Sequence, residues 1–509
     1  MTPSAAIPPR STTAAAPEAH GEGTRLIAAN AFAGYLGSIG ITALRFLTKL
    51  VLIRSLAPVD FGRVVTTQNL QALGVTAAGL GLGDAVVRFV GLYSHDDSGR
   101  PAAVVRHAIR LTVATAVIAT AVLVVPAALW STRLSLGAQG AWGVLLAALA
   151  VAPTVTGDIL GSAFIGANRT WIKVAALDFS RALVTLGGYT LLLVLGRAGY
   201  IGSVSVQLAA AVASVAVMVT AFRGAAADRR PPSDDVKLQT LLAYSVPMFV
   251  SLVVGGTLVG AGIPLILAAR ETPEAVAMFA VVVTITPLLQ LPANALENAA
   301  MPVWAAAVGE GPVRHLERSF RDVTRWGLVL GLLVFVPLAV APREAVSLLF
   351  GSQYAGAATT VELALAAMLF GIAVGPIEGV LLAFGLTRAI FVARGVSGVV
   401  TLAAAWPLVA RWGVNGAVAA WAVNTVISNA LYAYAVFRRH RIQPVDARFV
   451  RTILAGVLGL VMARLAGALG LEGTARLAAA VVANGVTLVA AGRMLGVWHP
   501  SELAHLVRR

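Results

Sequence analysis

Two cations four residues apart inside an apolar run are the first residues in this chain that could do chemistry. Arg45 lies near the middle of the hydrophobic stretch 28–54, and Lys49 follows one helical turn later on the same face. Like charges on one face repel unless an anion or a carboxylate stands opposite. The pair is therefore a candidate for holding a phosphorylated ligand. The plainer readings are a structural ion pair for Arg45 and a Lys49 that snorkels outward. Asp84 and Arg88 are also four apart, and Asp178 and Arg181 are three apart. Each reads either as a local salt bridge that makes its charges tolerable in hydrocarbon, or as an arginine that faces a cavity and exchanges its carboxylate for phosphate. Arginine suits the second role because its planar fork donates two parallel hydrogen bonds and keeps its charge.

A second kind of chemistry is carried by Gln290, Asn294, Glu297 and Asn298, a polar stripe at near-helical spacing in an apolar stretch. Hydrogen-bonding groups of this kind would line a cavity for a glycan; polar contact between helices is the alternative. Asp84, Asp158 and Glu378 are candidates for carrying a coupling proton or sodium ion, and equally for structural pairing. Cysteine is absent and no histidine pair has ligand spacing, so no metal is expected. There is no G-x-x-x-x-G-K-[ST] phosphate loop, which argues against ATP hydrolysis, and no cofactor is expected.

The elements that must position these groups are membrane helices. Of the 509 residues 58% are hydrophobic and only 12% charged, well away from the quarter or so charged in soluble domains. Spanning length is about 20 apolar residues. Stretches that meet it lie near 28–54, 64–92, 108–130, 141–166, 172–196, 200–222, 239–268, 275–307, 325–349, 357–386, 389–410, 414–437, 449–470 and 474–497. About fourteen spans follow. Alternate loops carry about twenty basic residues against about eight. This bias places the richer set, and both termini, in the cytoplasm. It also explains the net charge of +15 without nucleic acid.

The chain repeats itself. Gly199-Tyr200-Ile201-Gly202 recurs as Gly413-Val414-Asn415-Gly416, and Asp158 with its following Ala163-Phe164 and Arg169 recurs as Glu378, Ala383-Phe384 and Arg388. Offsets near 214–220 imply a six-plus-six duplication. Six is even, so the halves enter the membrane in the same sense and should be related by a pseudo-twofold axis along the membrane normal. The expected fold is an all-α polytopic membrane protein with two six-helix lobes plus two C-terminal helices. The divisions are a disordered tail at 1–24, an N-lobe at 25–223, a cytoplasmic linker at 224–238, a C-lobe at 239–437, and a helix pair with tail at 438–509. Two such lobes form an alternating-access body with the substrate site between them, which favours a transporter over an enzyme.

The opening stretch through Ile53-Arg54-Ser55-Leu56-Ala57-Pro58-Val59-Asp60-Phe61-Gly62, the run Gly79-Leu80-Gly81-Leu82-Gly83-Asp84-Ala85, and Gly413-x-x-Gly416-Ala417 resemble bacterial polysaccharide and O-antigen repeat-unit flippases. These belong to the multidrug/oligosaccharidyl-lipid/polysaccharide exporter (MOP) superfamily. The resemblance implies a non-enzymatic flippase in the bacterial inner membrane. It would move an undecaprenyl-diphosphate-linked oligosaccharide from the cytoplasmic to the outer leaflet, for exopolysaccharide, O-antigen or capsule synthesis. It also implies a cationic central cavity at Arg45, Arg88 and Arg181, with Lys49, and a groove for the lipid tail on the helices at 449–497. Its partners would be the lipid-linked oligosaccharide, membrane lipids, and a polysaccharide polymerase with its chain-length regulator. The rivals are a lipid II flippase, a multidrug or cation antiporter of the same superfamily, and a membrane enzyme of the same pathway. An enzyme would need a large external loop that this sequence lacks.

Overall fold

The computed structural model describes residues 40–94, 99–226, 236–310 and 313–498. The tail expected at 1–24 and most of the linker expected at 224–238 lie outside these residues. Among the described residues the chain is helical without strands. In lipid this is what an open chain must be, because a helix satisfies its own backbone polar groups. Besides two short helices, Ala127–Arg133 and Pro342–Phe350, the helices are α1 (40–55), α2 (Pro58–Gly79), α3 (Leu82–Leu92), α4 (Arg100–Val124), α5 (Gly140–Gly166), α6 (Thr170–Val194), α7 (Tyr200–Ala226), α8 (Leu238–Ala268), α9 (Pro273–Glu310), α10 (Val313–Val340), α11 (Ser352–Ala383), α12 (387–412), α13 (414–440), α14 (Ala447–Gly467) and α15 (Gly473–Met494).

Eleven described helices are long and apolar enough to cross a membrane, or twelve if the bent pair α2–α3 is one span. One of the eleven, Thr387–His440, is 54 residues long, far more than a bilayer needs. It is two antiparallel arms. The chain reverses at Gly413 (φ 53°, ψ −125°), a conformation that belongs to glycine. A Cβ on Gly416 would lie only 2.0 Å from the Leu408 carbonyl oxygen, so the reversal is a close backbone approach. Ser428 and Ser397, 31 residues apart, share a hydrogen bond of 2.8 Å across the arms. Counting to fourteen spans would need the first apolar stretch, 28–54, as a full crossing, and its residues 28–39 lie outside the described residues.

Several boundaries differ from the sequence expectation, each for a local reason. The third span runs over Arg100–Val124 rather than 108–130, because Pro101 suits a helix start and Pro126 ends it. The ninth runs over Val313–Val340 rather than 325–349. Pro342 forces Ala341 out of the helix (φ −130°, ψ 56°) and opens a separate short helix, Pro342–Phe350. The basic residues at 318–325 ride on the first turns of α10 instead of in a loop.

α2 and α3 bend by 43° at Leu80 and Gly81, which both take left-handed φ (44° and 68°). Gly81 there meets α8, where an added Cβ would strike the Ser245 carbonyl oxygen at 2.5 Å. The two halves of the chain are sealed together at the arginine-poor end. Tyr354 is fully buried and donates to the carbonyls of Ile53 (3.2 Å) and Leu56 (3.3 Å). Arg54 donates to the Leu349 carbonyl at 2.8 Å, and Phe61 meets the Tyr354 ring edge-on. The terminal pair α14–α15 packs against α10, where Asn484 donates to the Leu332 carbonyl (3.1 Å). Its outer faces, with Val457, Val461, Val482 and Val486, are exposed and apolar, as lipid contact requires.

Candidate functional site

Two polar cavities lie inside the molecule, and each is lined from one half of the chain alone. The first, about 370 Å³, has walls from α1, α2, α5, α6 and α7; the second, about 500 Å³, has walls from α8 to α13. Their chemistry is opposite.

The first cavity is cationic. Arg45, Lys49 and Arg181 line it, with Gln68, Gln71 and Gln207 as hydrogen-bonding walls. Arg45 reaches Asp178 (Nη2 to Oδ1, 2.8 Å), and Lys173 holds the other oxygen of the same carboxylate (Nζ to Oδ2, 2.6 Å). Asp178 is buried, at 11% side-chain exposure, whereas Arg45 is 60% exposed, so the arginine presents its remaining donors to the cavity. Arg181 stands 3.8 Å from Asp158 and donates from Nε to Ser214 (3.2 Å), while its Nη2 is buried with no acceptor among the described residues. Lys49 has no carboxylate partner among those residues. Four cations thus face two carboxylates. A positive surplus inside a membrane protein is costly unless an anion or water meets it.

Asp178 and Arg181 do not pair with each other, contrary to the simplest expectation from their spacing. Asp178 lies in a π-helical turn, Val174–Phe179, whose extra residue per turn alters the register between them. Such turns recur at functional positions in helices. Here the turn sends the carboxylate to α1 and the arginine to α5. The arrangement also uses Lys173, from the first turn of α6.

The second cavity is neutral to acidic. Gln290, Asn294 and Glu297 from α9 line it as a stripe, facing Asn424, Thr425, Ser428, Asn429 and Tyr432 from α13. Glu378 pairs with Arg394, whose Nε donates to the Tyr432 hydroxyl (3.2 Å). Glu297 packs closely against Gly379 of α11. Asn298 is exposed and does not line the cavity. The stripe on α13 was visible in the sequence as polar residues at i, i+1, i+4, i+5 and i+8, a single helical face, but it escapes a search for charges.

Arg88 and Asp84 fall outside both cavities. They are exposed on α3, and Arg88 lies over the Tyr244 ring of α8, 4.7 Å from its centre. The bend at Leu80–Gly81 turns their helix away from the cavity wall, so the local Asp84–Arg88 bridge gives way to a cation–π contact between the two halves. The repeat-related carboxylates behave alike. Asp158 on α5 pairs with Arg181 on α6, and Glu378 on α11 pairs with Arg394 on α12.

The fold is all-helical among the described residues, with spanning-length helices and one polar cavity lined by each half of the chain. No known family profile and no curated protein matches the chain. Among solved structures it is similar to the lipid II flippase MurJ in an inward closed conformation, at 11% identity and a TM-score of 0.69, over 90% of this chain and 98% of that one. It is also similar to an inward-facing multidrug resistance MATE family transporter of the MOP superfamily (16%, TM-score 0.59, 78% and 94%). A third is a MOP superfamily transporter from Pyrococcus furiosus whose binding pocket is described as of reversed polarity (16%, 0.54, 82% and 95%). At these identities the likeness is one of fold.

Proposed function

We propose that this protein is a flippase for a lipid-linked diphospho-oligosaccharide, the first lobe's cavity taking the diphosphate and the second lobe's cavity the glycan. The observation that carries this reading is the unbalanced positive charge around Arg45, Lys49 and Arg181. A diphosphate brings the anionic oxygens those groups lack, and Arg45 and Arg181 trade contact with Asp178 and Asp158 for it. The exchange leaves Asp178 neutralised by Lys173 and frees Asp158. The amide and hydroxyl walls of the second cavity offer a glycan both donors and acceptors. Arg88 is set aside from the headgroup site by its position. Asp158 and Glu378 serve as counter-ions that arginines release and recapture, and either can take up a coupling ion in the released state.

A small-cation exporter would want the reverse sign in the first cavity. In cells lacking the protein, lipid-linked oligosaccharide should accumulate in the cytoplasmic leaflet, and the wild type but not Arg45→Ala should clear it. Unchanged distribution of the lipid-linked sugar would refute the flippase reading.

A further inference from the structure

A third cavity, about 500 Å³, is unlike the other two. Leu70, Leu73, Ala77, Ile118 and Val122 form its walls, and Leu265 from α8 closes it, so it straddles the two halves of the chain. Its one hydroxyl, Thr115, is spent on the carbonyls of Ala78 (2.6 Å) and Leu111 (3.0 Å). An ordered water needs two or more polar partners, and beyond this spent hydroxyl the lining offers only the Trp130 indole, so the cavity takes hydrocarbon. It opens sideways, since Ile118 and Val122 are 63% and 60% exposed on the outer face of α4. On a spanning helix that face meets lipid.

At the cavity's arginine-poor end stands Trp130, whose indole Nε1 is buried without an acceptor among the described residues. Tryptophan collects at the level of the membrane interface, where glycerol ester carbonyls lie. An isoprenoid chain has no acceptor to offer this N–H, but an acyl ester has one. The helix α2 also separates this cavity from the cationic one, with Gln68 and Gln71 on its other side.

We propose that this cavity is a binding site for one acyl chain of a bilayer phospholipid, with its ester carbonyl on Trp130 Nε1. The chain then forms part of the contact between α2, α4 and α8, and any motion of the lobes must either carry it or expel it. This inference does not depend on the transported substrate.

The test uses the full-length protein in nanodiscs containing a phosphatidylcholine with a diazirine at the end of one acyl chain. Labelling should concentrate on the peptides around 70–80 and 115–123, and two independent space-filling variants, Ala77→Phe and Leu73→Trp, should each remove most of it. Trp130→Phe should weaken retention of ester-linked lipid about fivefold, the worth of one hydrogen bond, and leave an ether-linked analogue unaffected. Labelling spread evenly over the lipid-facing surface, or unchanged by both filled variants, would overturn the proposal. So would displacement of the label by a polyprenyl diphosphate, which would assign the cavity to an isoprenoid tail. Equal loss of ester and ether lipid in Trp130→Phe would remove the carbonyl contact.

Discussion

The two lobes use one scaffold for opposite chemistry. In each, a carboxylate on the fourth span of the half meets an arginine on the fifth: Asp158 with Arg181, and Glu378 with Arg394. What surrounds that pair differs. The first lobe adds Arg45, Lys49 and Lys173 against a single further carboxylate, Asp178. The second adds Glu297 and a wall of amides and hydroxyls. The two halves thus share a device for burying charge and differ in the remaining lining. A paired charge is tolerable in either half; under the proposed function, the surplus is what would select the ligand.

The largest effect should come from the surplus itself. Arg45→Ala removes a charge-assisted donor worth about 1.5–3 kcal/mol, so the transport rate should fall at least about tenfold. Arg45→Lys should restore only part of it, because lysine lacks the fork. If removing Arg394 cost as much as removing Arg45 while protein levels held, the lobes would not differ in the way described.

Next in size is the hairpin between α12 and α13, which sets the second cavity. Gly413→Ala forces a side chain into a conformation reserved for glycine and should cost about 1–3 kcal/mol of stability, read as a lower melting temperature in detergent. Asn429→Ala, within the polar wall, should weaken headgroup binding by about 0.5–1.5 kcal/mol, roughly two- to tenfold, and only for substrates that carry a glycan. The smallest effect belongs to Arg88→Ala. A cation–π contact at an exposed site is worth about 0.5–1 kcal/mol, and transport should change less than about fivefold. A loss as large as that of Arg45→Ala would return Arg88 to the headgroup site.

Much of this was legible in the sequence. Long apolar runs gave the helices, and Arg45, Lys49 and Arg181 stood out because charge in such runs is costly. The cavity-lining stripe Gln290, Asn294 and Glu297 was legible through its spacing. Pairings were less so. Asp178 looked like a partner for Arg181 because helical spacing assumes an unbroken register, which the π-helical turn breaks. Arg88 looked equivalent to Arg181 because the bend at Leu80–Gly81 depends on a tertiary contact with α8. Lys173 and Arg394 lie near span ends, where the basic bias that orients the chain also hides cations that belong to a cavity. Asn298 shares the stripe's sequence but not its face.

The central claim is that the first lobe's cavity reads diphosphate. It is tested most directly in proteoliposomes, by following leaflet-resolved flipping of a fluorescent lipid-linked oligosaccharide that carries a diphosphate, a monophosphate or no phosphate. The account predicts that the wild type discriminates steeply among the three and that Arg45→Ala flattens the series toward the phosphate-free rate. Equal transport of all three by the wild type would contradict it.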